Sequence, residues 1–250
     1  MPDPEVTESP RLVAFDASKH AGLGLSPQHL CDFTIRHNVV LINLAEFFYA
    51  SQNYPVVFLK HENDAIQAAA VTGLRQGENL FADDRGNWRE HAYVPAYIRR
   101  FPFYTAPAND ESDPDKRLIM VDETGLMPSA EPFFDASGKP TEKWKERQAF
   151  IADFISAEKQ TEGFTARIDD LGLLEPFDAQ INPQGQDSMR VSGMQRINEN
   201  RLNRLPAKAI RALMQQGDLS RIYAHLISLE NFAKLLDLSE LKKRSKTIPD

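Results

Sequence analysis

The sequence predicts an α+β fold, with an antiparallel or mixed sheet in the N-terminal half of the chain and helices mostly in the C-terminal half. Two patterns support this prediction. Up to about residue 135, short β-branched and aromatic runs alternate with turn-forming Asp, Asn and Gly. From about residue 140 onward, many apolar residues recur at spacings of three and four, which is typical of helices. The 250 residues, 42% of them hydrophobic, are enough for a substantial core.

The first half contains several expected strands separated by turns. The segment Val39–Phe48 fits a strand followed by a short helix. A hairpin is expected around the turn signal Glu62–Asp64, and a second strand-turn-strand unit around Asp83–Asn87, because Asp, Asn and Gly tolerate turn conformations. The expected strands of these units and of the segment that follows them are Val56–Leu59, Ala65–Leu74, Glu78–Phe81, the residues at Trp88, and Arg117–Asp122.

The second half begins with a predicted helix. Apolar residues between Trp144 and Ile155 fall on one helical face, Pro140 suits the first turn, and Gly163 is the expected stop. The segments after this helix are predicted to be irregular over Asp169–Pro183 and a strand over Met189–Ile197.

Two helices are predicted to close the chain. The first runs from Pro206 to about Gln216, with Gly217 as its C-cap. The second is a long helix capped by Asp218, because an apolar stripe continues from Leu219 to Leu236.

Composition excludes several classes of protein. The formal net charge of −7 disfavours generic nucleic-acid binding. The apolar run Val39–Ile42 is far shorter than the roughly 20 residues that a membrane-spanning helix needs. The first residues are acidic and proline-bearing, without the features of a Sec signal, so we expect a cytoplasmic protein. Cys31 is the single cysteine, which rules out an intramolecular disulfide.

We expect one domain over residues 11–238, between a disordered acidic tail at residues 1–10 and a basic tail at residues 239–250. The basic residues of the stretch Lys242–Lys246 fit a helix end, where cations complement the helix dipole. The alternative is a site for an anionic partner.

Motifs for the common catalytic chemistries are missing from the sequence. There is no His-x-Asp pair for a mononuclear iron site, and no pair of His at i and i+4 of the zinc-protease kind. Neither the dinucleotide-binding glycine pattern nor the phosphate-binding loop occurs, and the Gly-x-Ser-x-Gly nucleophile motif is absent. We therefore expect neither a metal site nor a bound cofactor.

The densest group of binding-type residues lies between Trp88 and Phe103. Arginine offers a planar fork for carboxylate or phosphate, and Tyr and Trp supply rigid contact area, so this composition favours an interface or an anion pocket. If the segment is extended, Arg99 and Arg100 point to opposite faces. The alternative is that the aromatic side chains fill a core edge while the arginines pair with the loop Asp110–Asp115. The candidate binding residues are Trp88, His91, Tyr93, Tyr97, Arg99, Arg100 and Phe101.

A dispersed catalytic site is a second interpretation of the titratable residues. His91 or His225 can serve as an acid or base near neutral pH, and Asp122 beside Glu123 can supply a carboxylate. The structural alternatives are a hydrogen-bonded histidine on a helix and an ordinary turn at Asp122–Gly125.

Several stretches resemble the bacterial SapC family over roughly Ser26 to Leu238. The most distinctive is a Tyr-Val-Pro-Ala-Tyr-x-Arg-Arg run followed by Phe-Pro-Phe. The resembling stretches are Tyr54–Phe58, Gly77–Phe81, Trp88, Tyr93–Phe103 and Gly217–Leu229. The resemblance implies an association with a surface layer or, in proteobacteria, company with TonB-dependent receptors, cupin-like proteins and flavin-dependent halogenase-like proteins. A permease label that some members carry conflicts with the lack of a spanning segment.

The sequence thus favours a non-enzymatic cytoplasmic binding or accessory protein, linked to TonB-dependent uptake or modification systems. Its expected partner is a protein or a small anionic ligand, bound by the aromatic and arginine residues between Trp88 and Phe103. The competing hypotheses are an enzyme with a dispersed site of histidines and carboxylates, and a protein associated with the surface layer.

Overall fold

The computed structural model describes residues 12–108, 112–113, 116–129, 131–181 and 189–247. The acidic segment 1–10, predicted to be a disordered tail, lies outside the described residues, as does most of the loop Asp110–Asp115. The chain divides into two compact units. The first combines the chain up to Phe33 with Arg100–Ile155, and the second combines Thr34–Arg99 with the chain from Ser156 onward.

The strands and helices confirm the predicted α+β class, with sheets mostly in the first half and the long helices in the second. The strands are β1 (Leu12–Ala14), β2 (Leu23–Leu25), β3 (Val39–Leu41), β4 (Val56–Lys60), β5 (Ile66–Val71), β6 (Phe103–Pro107), β7 (Arg117–Asp122), β8 (Leu126–Pro128), β9 (Leu174–Ile181) and β10 (Met189–Ile197). The helices are α1 (Ala17–His20), α2 (Pro27–Ile35), α3 (Phe47–Ser51), α4 (Ala96–Arg99), α5 (Glu142–Asp170), α6 (Glu199–Asn203), α7 (Ala207–Gln215), α8 (Asp218–Ser228) and α9 (Asn231–Thr247). Short 3-10 helices cover Leu44–Glu46 and Glu123–Gly125.

The first unit is built on a three-stranded antiparallel sheet in the order β1-β7-β6 and a two-stranded sheet of β2 and β8. Its core is an aromatic cluster in which the rings of Phe15 and Trp144 lie 4.6 Å apart and those of Phe103 and Phe133 lie 5.2 Å apart. Edge-to-face and tilted ring contacts of this kind stabilise a core beyond the burial of apolar area.

The second unit is built on a five-stranded antiparallel sheet in the order β3-β5-β4-β10-β9. The predicted hairpin forms its centre, with Val57 opposite Ala69 and Phe58 opposite Ala68. Both strands are buried along most of their length, and helices α3 and α8 pack against each other beside them. Phe164 of α5 is fully buried in the same core.

Helix α5 does not stop at Gly163 as predicted but continues to Asp170. Its C-terminus is fixed by Gly172, which adopts a φ of 62°. The N–H of Gly172 donates to the carbonyl of Asp169, and the N–H of Leu173 donates to the carbonyl of Ile168. These two bonds form a Schellman motif, which requires the left-handed conformation that glycine adopts at low cost.

The prediction that Asp169–Pro183 is irregular is wrong, because much of it forms β9. Cross-strand pairing with β10 explains the difference: Glu175 lies opposite Arg196 in the register, and their side chains form a 2.9 Å ion pair. The strand lies at the edge of the sheet, where Pro176 is tolerated. The β structure here depends on a partner strand and not on local propensity.

The long closing helix predicted from Asp218 to Leu236 is two helices, α8 and α9, separated at residues 229–230. At this separation, side chains form hydrogen bonds with backbone groups that are far away in the sequence. The Asn231 amide donates to the carbonyls of Ser51 and Tyr54, and the Ser228 hydroxyl accepts from the N–H of Val56. Asp218 is not the cap but the first helical residue, after Gly217 at φ 75°.

The second predicted strand-turn-strand unit is reduced to an isolated bridge between Ala82 and Trp88. The side chain of Asp83 accepts bonds from the N–H groups of Arg85 and Asn87, which turns the loop tightly. Among the described residues, no helix combines the length and the apolar character needed to cross a bilayer.

Candidate binding site

The seven predicted binding residues are divided between the two units. Arg100 and Phe101 belong to the first unit. The other five belong to the second unit; they are Trp88, His91, Tyr93, Tyr97 and Arg99.

The chain around the two arginines is not extended, because helix α4 ends at Arg99 and a turn follows at Arg100. Helix α4 starts after Pro95, whose carbonyl accepts from the N–H groups of Ile98 and Arg99. The Arg99 guanidinium turns back along the chain and donates to the carbonyl of Val94 at 3.1 Å and to the Tyr93 hydroxyl at 3.0 Å. The two arginines still have different surroundings, because the helix ends at Arg99.

Arg100 and Phe101 belong to the packing of the first unit. The Arg100 guanidinium carbon lies 4.6 Å from the ring centroid of Tyr104 and 5.1 Å from that of Phe154. Phe101 is buried and stacks on Phe33 at 4.4 Å. For Phe101 the structure agrees with the alternative that the aromatic side chains fill a core edge. The pairing of the arginines with the loop Asp110–Asp115 falls mostly outside the described residues.

Glu46 is a buried carboxylate that sequence analysis did not identify. Its Oε1 accepts from the N–H of Ala96 at 2.7 Å and from the Tyr93 hydroxyl at 2.9 Å, while its Oε2 accepts from the N–H of Asn43 at 2.8 Å. Burial raises the pKa of Glu46, and these hydrogen bonds and the charge of Arg99 oppose that shift. The signal in the sequence was the spacing of Asn43 and Glu46, which fits a capping box.

Tyr93 connects the buried Glu46 to the exposed Arg99. Its hydroxyl donates to the carboxylate and accepts from the guanidinium. Burial and the nearby charge of Glu46 raise the pKa of Tyr93 to about 12, so the phenol stays protonated at neutral pH. The three side chains form one hydrogen-bonded chain from core to surface.

An exposed aromatic side chain packs on Tyr93, the middle residue of this hydrogen-bonded series. Tyr49 on α3 is 59% exposed and stacks on Tyr93, with ring centroids 5.5 Å apart and an interplanar angle of 22°. Phe48, its neighbour, is 46% exposed. We call Tyr49, Tyr93 and Arg99 the aromatic–arginine face.

Trp88 is connected to Tyr93 through hydrogen bonds of Tyr54. Its indole N–H donates to the hydroxyl of Tyr54 at 2.9 Å, and that hydroxyl donates to the carbonyl of Tyr93. Tyr54 is fully buried, and burial raises its pKa. The Trp88 ring also lines a groove of about 770 Å³.

His91 and Tyr97 each contact a neighbouring side chain. The His91 side chain is 90% exposed and lies 3.5 Å from the carboxylate of Glu90. The ring of Tyr97 is half-buried and makes an edge contact with His37 at 5.8 Å.

Two residues of the dispersed catalytic hypothesis, His225 and Asp122, are hydrogen-bonded to neighbouring parts of the chain. His225 is fully buried; its Nδ1 donates to the carbonyl of Val56 at 2.7 Å and its Nε2 accepts from the N–H of Ile197 at 3.0 Å. Burial lowers the pKa of His225 to about 4. Asp122 accepts from the N–H and the hydroxyl of Thr124, as expected for a turn. Within the described parts of the chain, no three His, Cys, Asp or Glu side chains are grouped to hold a metal ion.

Comparison with known proteins gives a match at the level of the family. The model of the SapC family matches residues 15–235 of the 250-residue chain. Neither a curated protein nor a solved structure matches it.

Proposed function

We propose, starting from the finding that this chain belongs to the SapC family, that it is a binding protein that holds an acidic partner protein on its aromatic–arginine face. The observation that supports this most directly is the exposed stack of Tyr49 on Tyr93 beside the exposed Arg99. Tyrosine and arginine are enriched among the residues that dominate binding energy at protein interfaces.

The face is held in place before any partner binds. Tyr93 is fixed by its bond to Glu46, and Arg99 by its bonds to Tyr93 and to the backbone of Val94. Side chains that are already ordered lose little conformational freedom on binding, so more of the contact energy appears as affinity. This is a reason to assign Glu46 a positioning role.

The partner's chemistry follows from the chemistry of the face. A guanidinium next to tyrosine rings pairs well with a carboxylate, because the N–H groups that face solvent make charge-assisted hydrogen bonds. The rings then cover apolar atoms around the acidic group. We therefore propose an acidic segment with neighbouring apolar side chains as the bound element.

Two further parts of the proposal rest on the sequence. They are a cytoplasmic location and an accessory role in TonB-dependent uptake or modification systems. Cell fractionation tests the location: a tagged protein recovered from the medium or from the surface of intact cells contradicts it.

The binding proposal is tested with single variants. Partners that copurify with the wild-type protein are identified, and the purified pair is titrated by calorimetry. Tyr49→Ala and Arg99→Ala should each weaken binding by about 1–3 kcal/mol, since each removes an interface contact or a charge-assisted bond. Tyr223→Ala, which removes a 41% exposed tyrosine outside the aromatic–arginine face, is the matched control.

Charge reversal decides whether the contact is direct. Arg99→Glu should abolish binding, and replacing the contacted acid of the partner by Lys should restore it. Arg100→Ala should lower the melting temperature, because Arg100 packs on Tyr104 and Phe154, but leave the affinity unchanged. Equal affinity of the wild-type, Tyr49→Ala and Arg99→Ala proteins for every partner contradicts the proposal.

A further inference from the structure

We propose that the groove beside Trp88 binds a small carboxylic acid with an aromatic or aliphatic body. This groove lies between the loop of residues 80–90 and the C-terminal part of α9. Its volume of about 770 Å³ is within the range of small-molecule sites. The inference uses residues outside the aromatic–arginine face and does not depend on the proposed partner protein.

The walls of the groove are largely aromatic and aliphatic. The rings of Phe81 and Trp88 are stacked, with centroids 6.5 Å apart and an interplanar angle of 22°. Leu238 and Leu241 of α9 line the groove with them, and Leu241 is 54% exposed. Phe81 and Leu238 are themselves buried, so an apolar body in the groove chiefly shields the exposed Leu241 from water.

Two cations line this apolar surface, and a third lies near one of its rings. Arg89 and Lys242 line the groove, and the ammonium of Lys234 lies 5.9 Å from the ring centroid of Phe81. On α9, Lys234, Leu238 and Lys242 are spaced four residues apart, so they share one face of the helix. The Lys242 ammonium donates to the carbonyl of Asn79 at 3.1 Å, which holds it at the end of the groove.

Lys234 and Arg89 are positively charged, and the Lys234 ammonium donates to the neutral amide oxygen of Asn53 at 3.4 Å. Among the described residues, no carboxylate lies within ion-pair distance of either side chain. Partial burial lowers the pKa of Lys234, and the charge of Arg89 lowers it further. An anion near these two groups would stabilise both charges, because it opposes the repulsion between them.

The acidic residues of the loop limit the kind of anion. Asp83, Asp84 and Glu90 also line the groove, and all three are exposed. A polyanion such as a nucleoside triphosphate would be repelled by these carboxylates. A neutral apolar molecule would leave Lys234 without a counterion. A single carboxylate on an apolar body satisfies both conditions.

The test uses 3-phenylpropanoate as the probe and calorimetry as the measurement. Its amide, 3-phenylpropanamide, has the same body without the charge, and acetate has the charge without the body. Inorganic phosphate tests whether the groove prefers a small multivalent anion. We expect the full-length protein to bind 3-phenylpropanoate at least about tenfold more tightly than each of the three, because charged and apolar contacts combine.

Single-residue variants test whether 3-phenylpropanoate binds in this groove. Arg89→Gln and Lys234→Gln should each weaken 3-phenylpropanoate about tenfold and leave the amide unchanged. Arg85→Gln is the matched control, since Arg85 is an exposed arginine of the same loop that does not line the groove. Quenching of tryptophan fluorescence by the probe should disappear in Trp88→Phe, while Trp144 remains.

Three results overturn the inference. They are no binding of 3-phenylpropanoate at millimolar concentration, equal binding of the acid and its amide, and equal losses in Arg85→Gln and Arg89→Gln. Melting curves of each variant identify a folding defect, and if Lys234→Gln does not fold, Arg89→Gln and the acid-to-amide comparison decide.

Discussion

The Nδ1 of His225 lies 2.7 Å from the carbonyl oxygen of Val56, and this bond places the ring's single proton on Nδ1. The other nitrogen accepts from the N–H of Ile197, so a second proton on the ring would break that bond. The neutral form of the buried imidazole is therefore part of the junction between β4, β10 and α8.

The unfolding free energy should depend on pH through His225. Its pKa is about 4 in the fold and about 6.5 in the unfolded chain, so the unfolded chain binds a proton first as the pH falls. Stability is retained above pH 6.5 and lost as the pH falls toward 4, by about 2 kcal/mol between pH 7 and pH 5. Urea unfolding at the two pH values should show a smaller difference for His225→Gln. The exposed His61→Gln should keep the wild-type difference, and an unchanged difference in His225→Gln would contradict this role.

The ion pair between Arg167 and Asp218 should be asymmetric in its contribution to stability. Asp218 is fully buried, and the guanidinium binds both of its oxygens, at 2.7 and 3.0 Å. Arg167→Ala leaves a buried carboxylate without its partner and should cost about 3–5 kcal/mol. Asp218→Ala leaves a half-exposed guanidinium that water can solvate and should cost about 1.5–3 kcal/mol. Urea unfolding of both variants checks the order, and a larger loss for Asp218→Ala would show that the buried charge is not the source of the cost.

Substitution of Ser228 should destabilise the fold more than substitution of most other small residues. Its hydroxyl accepts from the N–H of Val56 at 2.9 Å and donates to the carbonyl of His225 at 2.6 Å, in a fully buried position. Ser228→Ala removes the acceptor of a buried N–H and should cost about 1–3 kcal/mol in thermal or urea unfolding. The exposed Ser220 bonds to the carbonyl of Gly217, and Ser220→Ala should change stability by less than about 0.5 kcal/mol. Equal effects of the two variants would argue against this account.

Local patterns predicted the elements that local chemistry determines. The hairpin around Glu62–Asp64 and helix α7, which ends just before Gly217, follow from turn residues and apolar spacing within a few positions of each other. The failures depend on distant residues. β9 forms because β10 pairs with it, and α8 ends near Ser228 and Asn231, which bond to residues more than 170 positions away.

The candidate site was only partly predicted, because it too depends on residues that are distant in the sequence. Composition marked Trp88, Tyr93 and Arg99, but their connection passes through Glu46 and Tyr54, which lie about 40 residues earlier in the chain. Arg100 was grouped with Arg99 because they are adjacent in sequence. The end of α4 separates them, and no pattern of residue types reports where such a boundary between units falls.

The pairing of β4 with β10 also affects how the chain is made. β4 is present in the nascent chain long before β10, so one side of β4 lacks its hydrogen-bonding partner while more than a hundred residues are added. An unpaired, apolar strand edge is prone to pair with other chains. Ribosome-bound intermediates that end before Met189 should therefore be the species that most need a chaperone, and slow translation of the segment between the two strands should lower the yield of folded protein.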